Sequence, residues 1–424
     1  MDILSQRGNP GGDAMWGRIF ERTIRHIIRR GTLHVTLPDG RTFTAGDGNA
    51  PEIAVRITDP SLLRRIVLLP DMGLGEGYMD GGLTIEGDDI RGLLELGVSN
   101  IWADNHLRLN GPAHRIRQRL RAVDQWNTAR RARANVAHHY DLSAELYDIF
   151  LDRDRQYSCA YFLHDTDTLE EAQEQKKAHI AAKLLLEPGM RVLDIGCGWG
   201  GMALTLARDH GAHVTGVTLS EEQHAIATRR AAEAGLADRC DFRLMDYRAL
   251  DGTFDRIVSV GMFEHVGVPH YDEYFGRVHD LLPEDGIALI HTIGRCGPPG
   301  TTSAWIAKYI FPGGYVPALS EMSAAFERAG LTATDVEVWR LHYAKTLRHW
   351  DDRFVAGIEK ARALYDDRFC RMWRFYLIAC EMTFRYGGQV VFQAQLARDK
   401  AQVPITREYL YPHPLEREMA RAAE

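Results

Sequence analysis

The segment from Arg191 to Gly201 constrains this chain more than any other, and it reads Arg-Val-Leu-Asp-Ile-Gly-Cys-Gly-Trp-Gly-Gly. An apolar run followed by closely spaced glycines predicts a buried parallel strand ending in a tight turn, which opens a helix from Met202 to Asp209. Glycine is required there because a Cβ atom would block both the positive φ angle and the close approach of backbone N–H groups to a ligand. The segment therefore predicts a turn that binds a nucleotide.

An acidic residue beside this turn indicates the kind of ligand. In a dinucleotide-binding Rossmann unit, an acid about twenty residues beyond the glycines binds the ribose hydroxyls. Here Asp194 precedes the glycines, whereas the predicted second strand, Ala212 to Thr218, has no acid at its tip. A carboxylate beside the turn suits a ligand that carries an ammonium group. The pattern therefore favours S-adenosylmethionine (SAM) over NAD, and over a purely structural glycine turn.

The length and composition of the chain limit its number of domains, its cellular compartment and the kinds of metal site that it can form. A chain of 424 residues exceeds a single-domain core, so two domains are expected. No apolar run reaches the roughly 18 residues of a membrane-spanning helix, and the N-terminus lacks the pattern of a signal peptide. The six cysteines are scattered without a C-x-x-C pair, which argues against a zinc site and a disulfide framework. We therefore expect a cytoplasmic protein with no bound metal.

The N-terminal part reads as a small α+β module. An amphipathic helix is predicted from Met15 to Arg30, and a hairpin forms around the Asp-Gly turn at Asp39 and Gly40. A further strand and two helices follow, at Ile53 to Ile57, Ser61 to Leu69 and Asp88 to Leu96, with a glycine-rich connection (72–87) between the helices. No catalytic cluster is recognisable there. We expect residues 1–120 to form an N-terminal α+β domain that ends in a basic linker.

The basic linker is rich in arginine: Arg108, Arg115, Arg117, Arg119, Arg121, Arg130, Arg131 and Arg133. Three interpretations are open. The commonest for such a run is a solvated helix face. A patch that meets anionic lipid headgroups is the second, with ~1 kcal/mol per basic residue near the surface. A nucleic-acid patch is the third, but no interleaved aromatic residues or nucleic-acid motif supports it, so no nucleic-acid partner is expected.

From about residue 135 to 296 predicted strands and helices alternate, as in a doubly wound sheet. Ligands of such sheets bind beyond the carboxyl ends of the strands. This rule gathers several segments round one crevice: 196–200, Thr218, Asp246, 261–265 and His291. Long helices are predicted after the sheet, at 321–329, 350–365 and 369–395. Residues 121–424 are thus expected to form an α/β, Rossmann-like, SAM-dependent methyltransferase domain with helical additions.

Six short runs occur in order along the chain: 137–143, 156–162, 194–200, 218–223, 261–267 and 290–294. Together they closely resemble the cyclopropane-fatty-acyl-phospholipid synthases and the related mycolic acid cyclopropane synthases. The resemblance covers roughly residues 120–400. Six ordered motifs are far more specific than a glycine turn, which any methyltransferase of this class would carry. The N-terminal module resembles the extra domain of the bacterial phospholipid enzymes.

The resemblance implies transfer of a methylene group from SAM to the cis double bond of an acyl chain in a phospholipid. The same carbocation can instead lose its proton to give a methylene or methyl branch, so a branched product is the alternative. A third hypothesis is a catalytically silent lipid-surface binding protein on a methyltransferase scaffold. The family also implies a homodimer that binds unsaturated phospholipids at the inner face of the membrane as a peripheral protein.

By the family's pattern, a bicarbonate ion serves as the base, held by residues that match Cys159, Glu264, His291, Ile293 and Tyr343. From the residues themselves, His291 at a strand end can donate to an anion, and Glu264 can accept from a protonated bicarbonate oxygen. Either one alone is more often a structural polar group at a sheet edge, and Tyr343 is more often a core aromatic.

Cys380 matches a cysteine that has been proposed as catalytic in the family. A thiolate would trap the carbocation, and no cation near Cys380 in sequence would lower its pKa. We therefore interpret Cys380 as a buried structural cysteine and keep it as a candidate catalytic residue.

The family's pattern also assigns the cofactor contacts. They come from four runs of the chain: Tyr157 and Ser158; Asp194, Gly196, Gly198, Trp199 and Gly200; Thr218, Leu219 and Gln223; Asp246 and Tyr247. The last pair is expected near the adenine, although it stands where relatives vary. The rings of Tyr157, Tyr161 and Trp199 can shield the sulfonium by cation–π contact, worth on the order of 0.5–2 kcal/mol.

Overall fold

The computed structural model describes residues 10–103 and 143–411. They divide into two compact units. The first contains the described residues up to Ala103 together with Ser303–Ile310 and Leu347–Gly388, and the second contains the remainder. The expected domain boundary at residue 120 and the basic linker lie outside the described residues. The division into 1–120 and 121–424 therefore stays a prediction.

The first unit contains a four-stranded sheet in the order β2-β1-β3-β4. The strands are β1 (Thr32–Thr36), β2 (Thr42–Gly46), β3 (Glu52–Ile57) and β4 (Leu83–Ile85). The predicted hairpin is present, since β1 and β2 pair antiparallel with Thr36 opposite Thr42. A hydrogen bond from the N–H of Gly40 to the carbonyl of Leu37, 3.0 Å long, closes the turn of the hairpin. The local Asp-Gly signal thus sufficed to place the hairpin.

The helices of the first unit are Pro10–Ile27, Ser61–Leu68, Pro70–Met79, Ile90–Ala103, Ala304–Tyr309, Ile358–Leu364, Asp367–Arg385 and the later turns of His342–Ala356. The prediction that 72–87 is only a glycine-rich connection between two helices was wrong, because Pro70–Met79 forms a helix of its own. Its glycines allow close packing: a Cβ on Gly73 would lie 2.5 Å from the backbone nitrogen of Ile66, and one on Gly75 would lie 2.4 Å from the indole nitrogen of Trp305.

Two further helix predictions need correction. The helix expected over 350–365 is broken at Gly357, and its two parts are His342–Ala356 and Ile358–Leu364. The helix expected over 369–395 ends at Arg385. Gly387 and Gly388 follow, and the chain then enters a strand, because glycine pairs disfavour helix continuation.

The second unit is built on a seven-stranded sheet in the order β10-β11-β9-β8-β5-β6-β7. Its strands are β5 (Arg191–Ile195), β6 (His213–Thr218), β7 (Cys240–Leu244), β8 (Arg256–Val260), β9 (Ile287–Arg295), β10 (Thr332–Trp339) and β11 (Gln389–Ala397). Strands β5 to β9 pair in parallel, whereas β11 pairs antiparallel with both β9 and β10. The strand order reverses at β5, so the crevice for a ligand is expected at its carboxyl end.

Helices cover both faces of this sheet: Ala144–Phe150, Leu169–Leu184, Gly201–His210, Glu221–Glu233, Tyr271–Leu281, Leu319–Arg328 and the first turns of His342–Ala356. On one face, Leu193 packs in the same cluster as Phe275, and on the other Val192 packs in the same cluster as Leu206. Fully burying side chains of this size contributes about 1.5–3 kcal/mol each. The burial on both faces holds β5 and its glycine turn in a fixed position.

No helix within residues 10–103 and 143–411 is long and apolar enough to cross a membrane.

Candidate active site

The glycine turn after β5 is fixed from two sides. The N–H groups of Gly196 and Cys197 donate to the carbonyl of Val217 at 2.9 and 3.0 Å, which joins the turn to the end of β6. Gly196 has a φ of 81°, and a Cβ there would lie 2.9 Å from the Cβ of Met262. Any larger residue would therefore be strained and would push the chain that follows β8.

Gly200 lies beyond the cavity wall. It precedes the helix Gly201–His210 with a φ of 83°, and a Cβ on it would come within 2.8 Å of the Phe242 ring. A glycine is thus required at this position for two reasons: a side chain would clash with Phe242 on β7, and the turn needs a positive φ angle. The structure gives it no place in the wall where the cofactor was expected to contact it.

A cavity opens at the carboxyl ends of β5, β6 and β8. Eleven of the twelve residues expected to contact the cofactor line it, all except Gly200: Tyr157, Ser158, Asp194, Gly196, Gly198, Trp199, Thr218, Leu219, Gln223, Asp246 and Tyr247. Arg155, Met245, Arg248 and His270 also line the cavity, and they lie outside the six runs. Gln156 and lining residues of the segment 261–266 lie within two of the runs, so position in a run was the available signal.

Among the residues that line the cavity, Asp194 indicates most clearly which kind of ligand would bind there. The side chain is only 2% exposed, and its Oδ2 has no hydrogen-bond partner among the described residues. Burial raises the pKa of this carboxyl to about 7, and the positive charge of Lys176 opposes that rise. A buried acid without a partner, at the wall of a cavity, fits a ligand that brings an ammonium group. The residues present therefore fit SAM.

Lys176 lies behind the cavity wall, and it was not identified from the sequence as part of the site. It is fully buried on the helix Leu169–Leu184, and its ammonium donates to Gln156 Oε1 at 2.6 Å and to Ser158 Oγ at 2.8 Å. Burial lowers its pKa to about 8, with Asp152 opposing the shift. The signal was present in the spacing, because Lys176 follows Leu169 and Ala172 and precedes Ile180 on one buried face.

Thr218 and Gln223 form one hydrogen-bonded unit at the end of β6. The hydroxyl of Thr218 donates to Gln223 Oε1 at 2.8 Å and accepts from the N–H of Ser220 at 3.2 Å. Ser220 caps the helix Glu221–Glu233 by accepting from the N–H of Gln223 at 3.3 Å. Leu219 lies between these residues. The cap and the side-chain pair together hold this part of the wall in place.

Asp246 and Tyr247 form the opposite end of the cavity wall. Asp246 accepts from the N–H, Nε and Nη2 of Arg248 at 3.0, 2.9 and 2.6 Å. Burial raises the pKa of Tyr247, whose ring meets that of Tyr274 edge-on at 5.5 Å. The Asp246 carboxylate is thereby fixed as an acceptor at the place where the adenine contact was predicted.

The aromatic residues expected round the sulfonium separate into two groups. Tyr157 and Trp199 both pack against Tyr147, with ring centroids 5.3 and 4.9 Å apart, and both line the cavity. Tyr161 does not line it. Its ring stacks on His179 at 4.6 Å and on His342 at 4.8 Å, so packing accounts for this tyrosine.

Glu264 and Ile293 are in direct contact beside the sheet. The backbone N–H of Ile293 donates to Glu264 Oε1 at 2.6 Å, and the N–H of Tyr315 donates to the Glu264 carbonyl at 2.9 Å. Oε2 of Glu264 has no hydrogen-bond partner in the described part of the chain. Burial raises the pKa of this carboxyl to about 7, with the Ile293 N–H opposing the shift. The group can therefore exchange a proton near neutral pH.

His291 lies two residues before Ile293 on β9 and points to the same face of the sheet. The imidazole is buried, and burial lowers its pKa well below the usual value, assisted by the charges of Lys176 and Lys183. It is therefore neutral at pH 7. Its Nδ1 lies 3.0 Å from Gln393 Nε2, and its ring meets the Trp339 ring edge-on at 5.1 Å.

Cys159 and Tyr343 are also buried in the second unit. The Cys159 thiol donates to the Ala160 carbonyl at 3.3 Å, and burial raises its pKa, so the thiol stays protonated. The N–H of Ala160 donates in turn to the hydroxyl of Thr346 at 3.0 Å, on the first turn of the helix that begins next to Tyr343. The charge of Lys176 acts on both Cys159 and His291. The hydrogen bond between Ala160 and Thr346 places Cys159 close to the helix that carries Tyr343.

Cys380 belongs to the first unit, on the helix Asp367–Arg385. Burial raises the pKa of its thiol to about 12. This agrees with the expectation that no neighbouring cation lowers the pKa of Cys380, because burial is the influence on the thiol and it raises the pKa. Within the described ranges, no cluster of His, Cys, Asp or Glu could hold a metal ion.

Comparison with known proteins identifies the fold and the family. The family model for mycolic acid cyclopropane synthetase matches residues 127–394, and a model for a domain of unknown function matches residues 19–104. A solved cyclopropane synthase from Mycobacterium tuberculosis is 34% identical with a TM-score of 0.60, over 62% of this chain and 98% of that chain. A mycolic acid cyclopropane synthase solved with SAH and CTAB is 36% identical with a TM-score of 0.60, over 62% and 97%.

Curated relatives match most of the chain. A probable fatty acid methyltransferase of Pseudomonas putida is 37% identical over 395 residues, which is 89% of this chain and 96% of the relative. The cyclopropane-fatty-acyl-phospholipid synthase of Escherichia coli K12 is 38% identical over 364 residues, or 84% and 91%. The predicted Rossmann-like, SAM-dependent methyltransferase fold and the family resemblance are confirmed: this chain belongs to the mycolic acid cyclopropane synthetase family.

Proposed function

We propose that this protein transfers a methylene group from SAM to the cis double bond of unsaturated acyl chains in phospholipids and so forms a cyclopropane ring. One observation carries the proposal. In a chain of this family, the cavity holds the buried Asp194, whose Oδ2 has no partner among the described residues; Glu264 follows β8, and its contact Ile293 and the neutral His291 lie on β9. The cavity suits SAM, and the adjoining cluster can handle a proton.

The residues of the cavity have separate tasks in this proposal. Asp194 receives the ammonium group of SAM, while Ser158, Thr218 and Gln223 line the wall as polar contacts. Asp246, fixed by Arg248, accepts at the adenine end. When bound, SAM supplies a methyl group on a sulfonium, which is an electrophile that the alkene of an acyl chain can attack. Tyr157 and Trp199 also line the cavity, and their aromatic rings can shield the sulfonium by cation–π contact.

A site that holds a carbocation must not trap it. The thiols of Cys159 and Cys380 are kept protonated by burial, which removes the thiolate nucleophile. His291 is neutral and is held by Gln393. This chemistry supports the interpretation of Cys380 as a structural cysteine rather than a nucleophile.

We propose bicarbonate as the base because Glu264 and His291 can hold it. Oε2 of Glu264 can accept a hydrogen bond from a protonated oxygen, and the ring nitrogen of His291 that does not face Gln393 can donate one. When bound, bicarbonate would take the proton that is lost as the ring closes. Ile293 has its N–H engaged by Glu264, so we assign it to the positioning of that carboxylate rather than to direct contact.

A branched product is the second candidate, and the names of two relatives favour it. They are the fatty acid methyltransferase of Pseudomonas putida and a tuberculostearic acid methyltransferase of Mycobacterium tuberculosis, 34% identical over 91% of both chains. Both outcomes begin with the same methyl transfer. Loss of a proton gives either the ring or an exomethylene branch, whereas a saturated methyl branch additionally needs a hydride donor.

The experiment is turnover of purified protein with SAM and vesicles of unsaturated phospholipid, followed by mass spectrometry of the released acyl chains. A gain of one CH₂ supports SAM-dependent alkylation. It also excludes the hypothesis of a catalytically silent lipid-binding protein. A ring and an exomethylene branch have the same mass, so proton NMR of the product separates them.

Three further expectations belong to this proposal. We propose that the chain acts at the inner face of the membrane as a peripheral protein, that it forms a homodimer, and that 121–424 carries the catalytic chemistry. A dimer would present two copies of each basic stretch to one surface, which raises avidity without new contacts. The arginines from Arg108 to Arg133 stay the predicted lipid contact, and they lie outside the described residues.

A further inference from the structure

His291 is neutral, so its proton can occupy either ring nitrogen. With the proton on Nε2, the nitrogen that does not face Gln393 is a hydrogen-bond donor. With the proton on Nδ1, that nitrogen is an acceptor and would repel an anion. A histidine that holds bicarbonate therefore needs a neighbour that selects one tautomer.

Gln393 is the neighbour in contact with Nδ1. It lies directly opposite His291 in the antiparallel pairing of β9 with β11, and both side chains are buried. Its amide nitrogen is 3.0 Å from His291 Nδ1. An amide NH₂ group only donates, so in this arrangement Nδ1 is the unprotonated acceptor and the proton resides on Nε2.

The pairing of β9 with β11 and the ring of Trp339 hold the contact between His291 and Gln393 in one geometry. Nine consecutive pairs fix the register of β9 and β11, from Gln389 opposite Arg295 to Ala397 opposite Ile287. Trp339 meets the imidazole edge-on at 5.1 Å, which limits rotation of the ring. The Oε1 atom of Gln393 is buried and has no hydrogen-bond partner among the described residues. The hydrogen bond from Nε2 to His291 is therefore the principal polar contact of the Gln393 amide group.

We propose that Gln393 is a positioning residue that holds His291 in the Nε2–H tautomer, so that the imidazole donates a hydrogen bond to a bound oxyanion. The oxyanion has the chemistry of bicarbonate, and this consequence rests on the proposed function. The tautomer itself does not rest on it, since it follows from the contact between the two buried side chains.

The experiment is ¹⁵N NMR of the full chain labelled at histidine. The His291 signals are assigned by their loss in His291→Asn. In the parent, Nδ1 should show the shift of an unprotonated nitrogen and Nε2 that of an N–H nitrogen. Gln393→Glu replaces the donor by an acceptor, so the two signals should exchange types. A parent in which Nδ1 carries the proton overturns the proposal, and so does a Gln393→Glu variant that keeps the parent tautomer.

Gln395 provides a matched control. It is two residues along β11 and equally buried, but its amide donates to the carbonyl of Lys183 at 2.6 Å. Gln395→Glu therefore makes the same chemical change without touching His291, and it should leave the His291 signals unchanged. If this variant also exchanges the tautomer, burial of a charge is the cause and the proposal fails. If a Glu variant does not fold, the spectrum of the parent still decides the question.

Turnover separates this proposal from the proposed function. Gln393→Glu should lower kcat at least tenfold and raise the KM for bicarbonate, with SAM affinity within twofold of the parent. If the parent shows the Nε2–H tautomer but makes no alkylated lipid, the proposed function fails and the positioning role stands. If the parent is active and Gln393→Glu keeps full activity and bicarbonate KM, the positioning role in catalysis fails.

Discussion

The ammonium group of Lys176 donates a hydrogen bond to the hydroxyl of Ser158 at 2.8 Å, and thereby places a buried positive charge directly behind the cavity wall. The same charge acts on Asp194 and opposes the rise of its pKa. Lys176 thus supports both the polar contacts of the wall and the ionised state of the acid that we propose as the partner of the SAM ammonium group.

Lys176→Met should weaken SAM binding about tenfold, which corresponds to about 1.4 kcal/mol. The reason is that Gln156 and Ser158 lose their charged donor and the pKa of Asp194 rises further. Isothermal titration calorimetry measures the affinity. Lys177→Met is the control, because that neighbouring lysine pairs with Asp154 at 2.7 Å and Glu174 at 2.9 Å. Equal SAM affinity in Lys176→Met and the parent would contradict the role given to this lysine.

SAM affinity should rise with pH near neutrality. Asp194 has a pKa raised to about 7, so it is largely protonated below that pH and meets an ammonium group poorly. Affinity should fall by up to about tenfold for each pH unit below the pKa. Titrations between about pH 6 and pH 7.5 test this, a window below the Lys176 pKa of about 8. The dependence should vanish in Asp194→Asn, and its persistence there would assign it to another group.

Glu264→Ala and His291→Ala should each lower turnover at least ~100-fold, because the base that takes the proton loses a group that holds it. SAM binding should survive, because neither residue lines the cavity. Turnover assays and calorimetry on the same samples check both statements. Loss of SAM affinity in both variants would move these residues into the cofactor site and refute the assignment.

Cys380→Ser should leave substantial activity. The thiol is protonated, with a pKa raised to about 12, and cation chemistry needs no thiolate. Activity is compared with that of the parent, and circular dichroism confirms that the variant is folded. A folded Cys380→Ser protein without activity would show that this cysteine takes part in the reaction.

Local signals in the sequence predicted the strand and turn around Asp194, and the family's pattern named eleven of the residues that line the cavity. The reason is that a glycine turn at the end of β5 is determined by steric limits within a few residues, and Gly196 shows those limits directly. Its environment also follows from the rule for parallel sheets, which places Thr218 and Asp246 at the same edge.

Two features of the site depend on contacts that local signals do not encode. Lys176 shares a helix face with Leu169, Ala172 and Ile180, but only the folded structure shows that its ammonium meets Gln156 and Ser158. Gln393 was placed in a helix over 369–395, so its position opposite His291 could not be foreseen. Such pairs are set by the register of distant strands, which a single sequence does not specify.

The most direct test of the central claim is the structure of the product. Purified protein is incubated with SAM, bicarbonate and vesicles of phospholipid with cis-monounsaturated chains, and the released acyl esters are examined by mass spectrometry and proton NMR. The account predicts a gain of one CH₂ and upfield signals from cyclopropane ring protons. Chains that carry the extra CH₂ as an exomethylene branch would establish the second candidate instead. Acyl chains left unchanged by a protein that binds SAM would contradict the account.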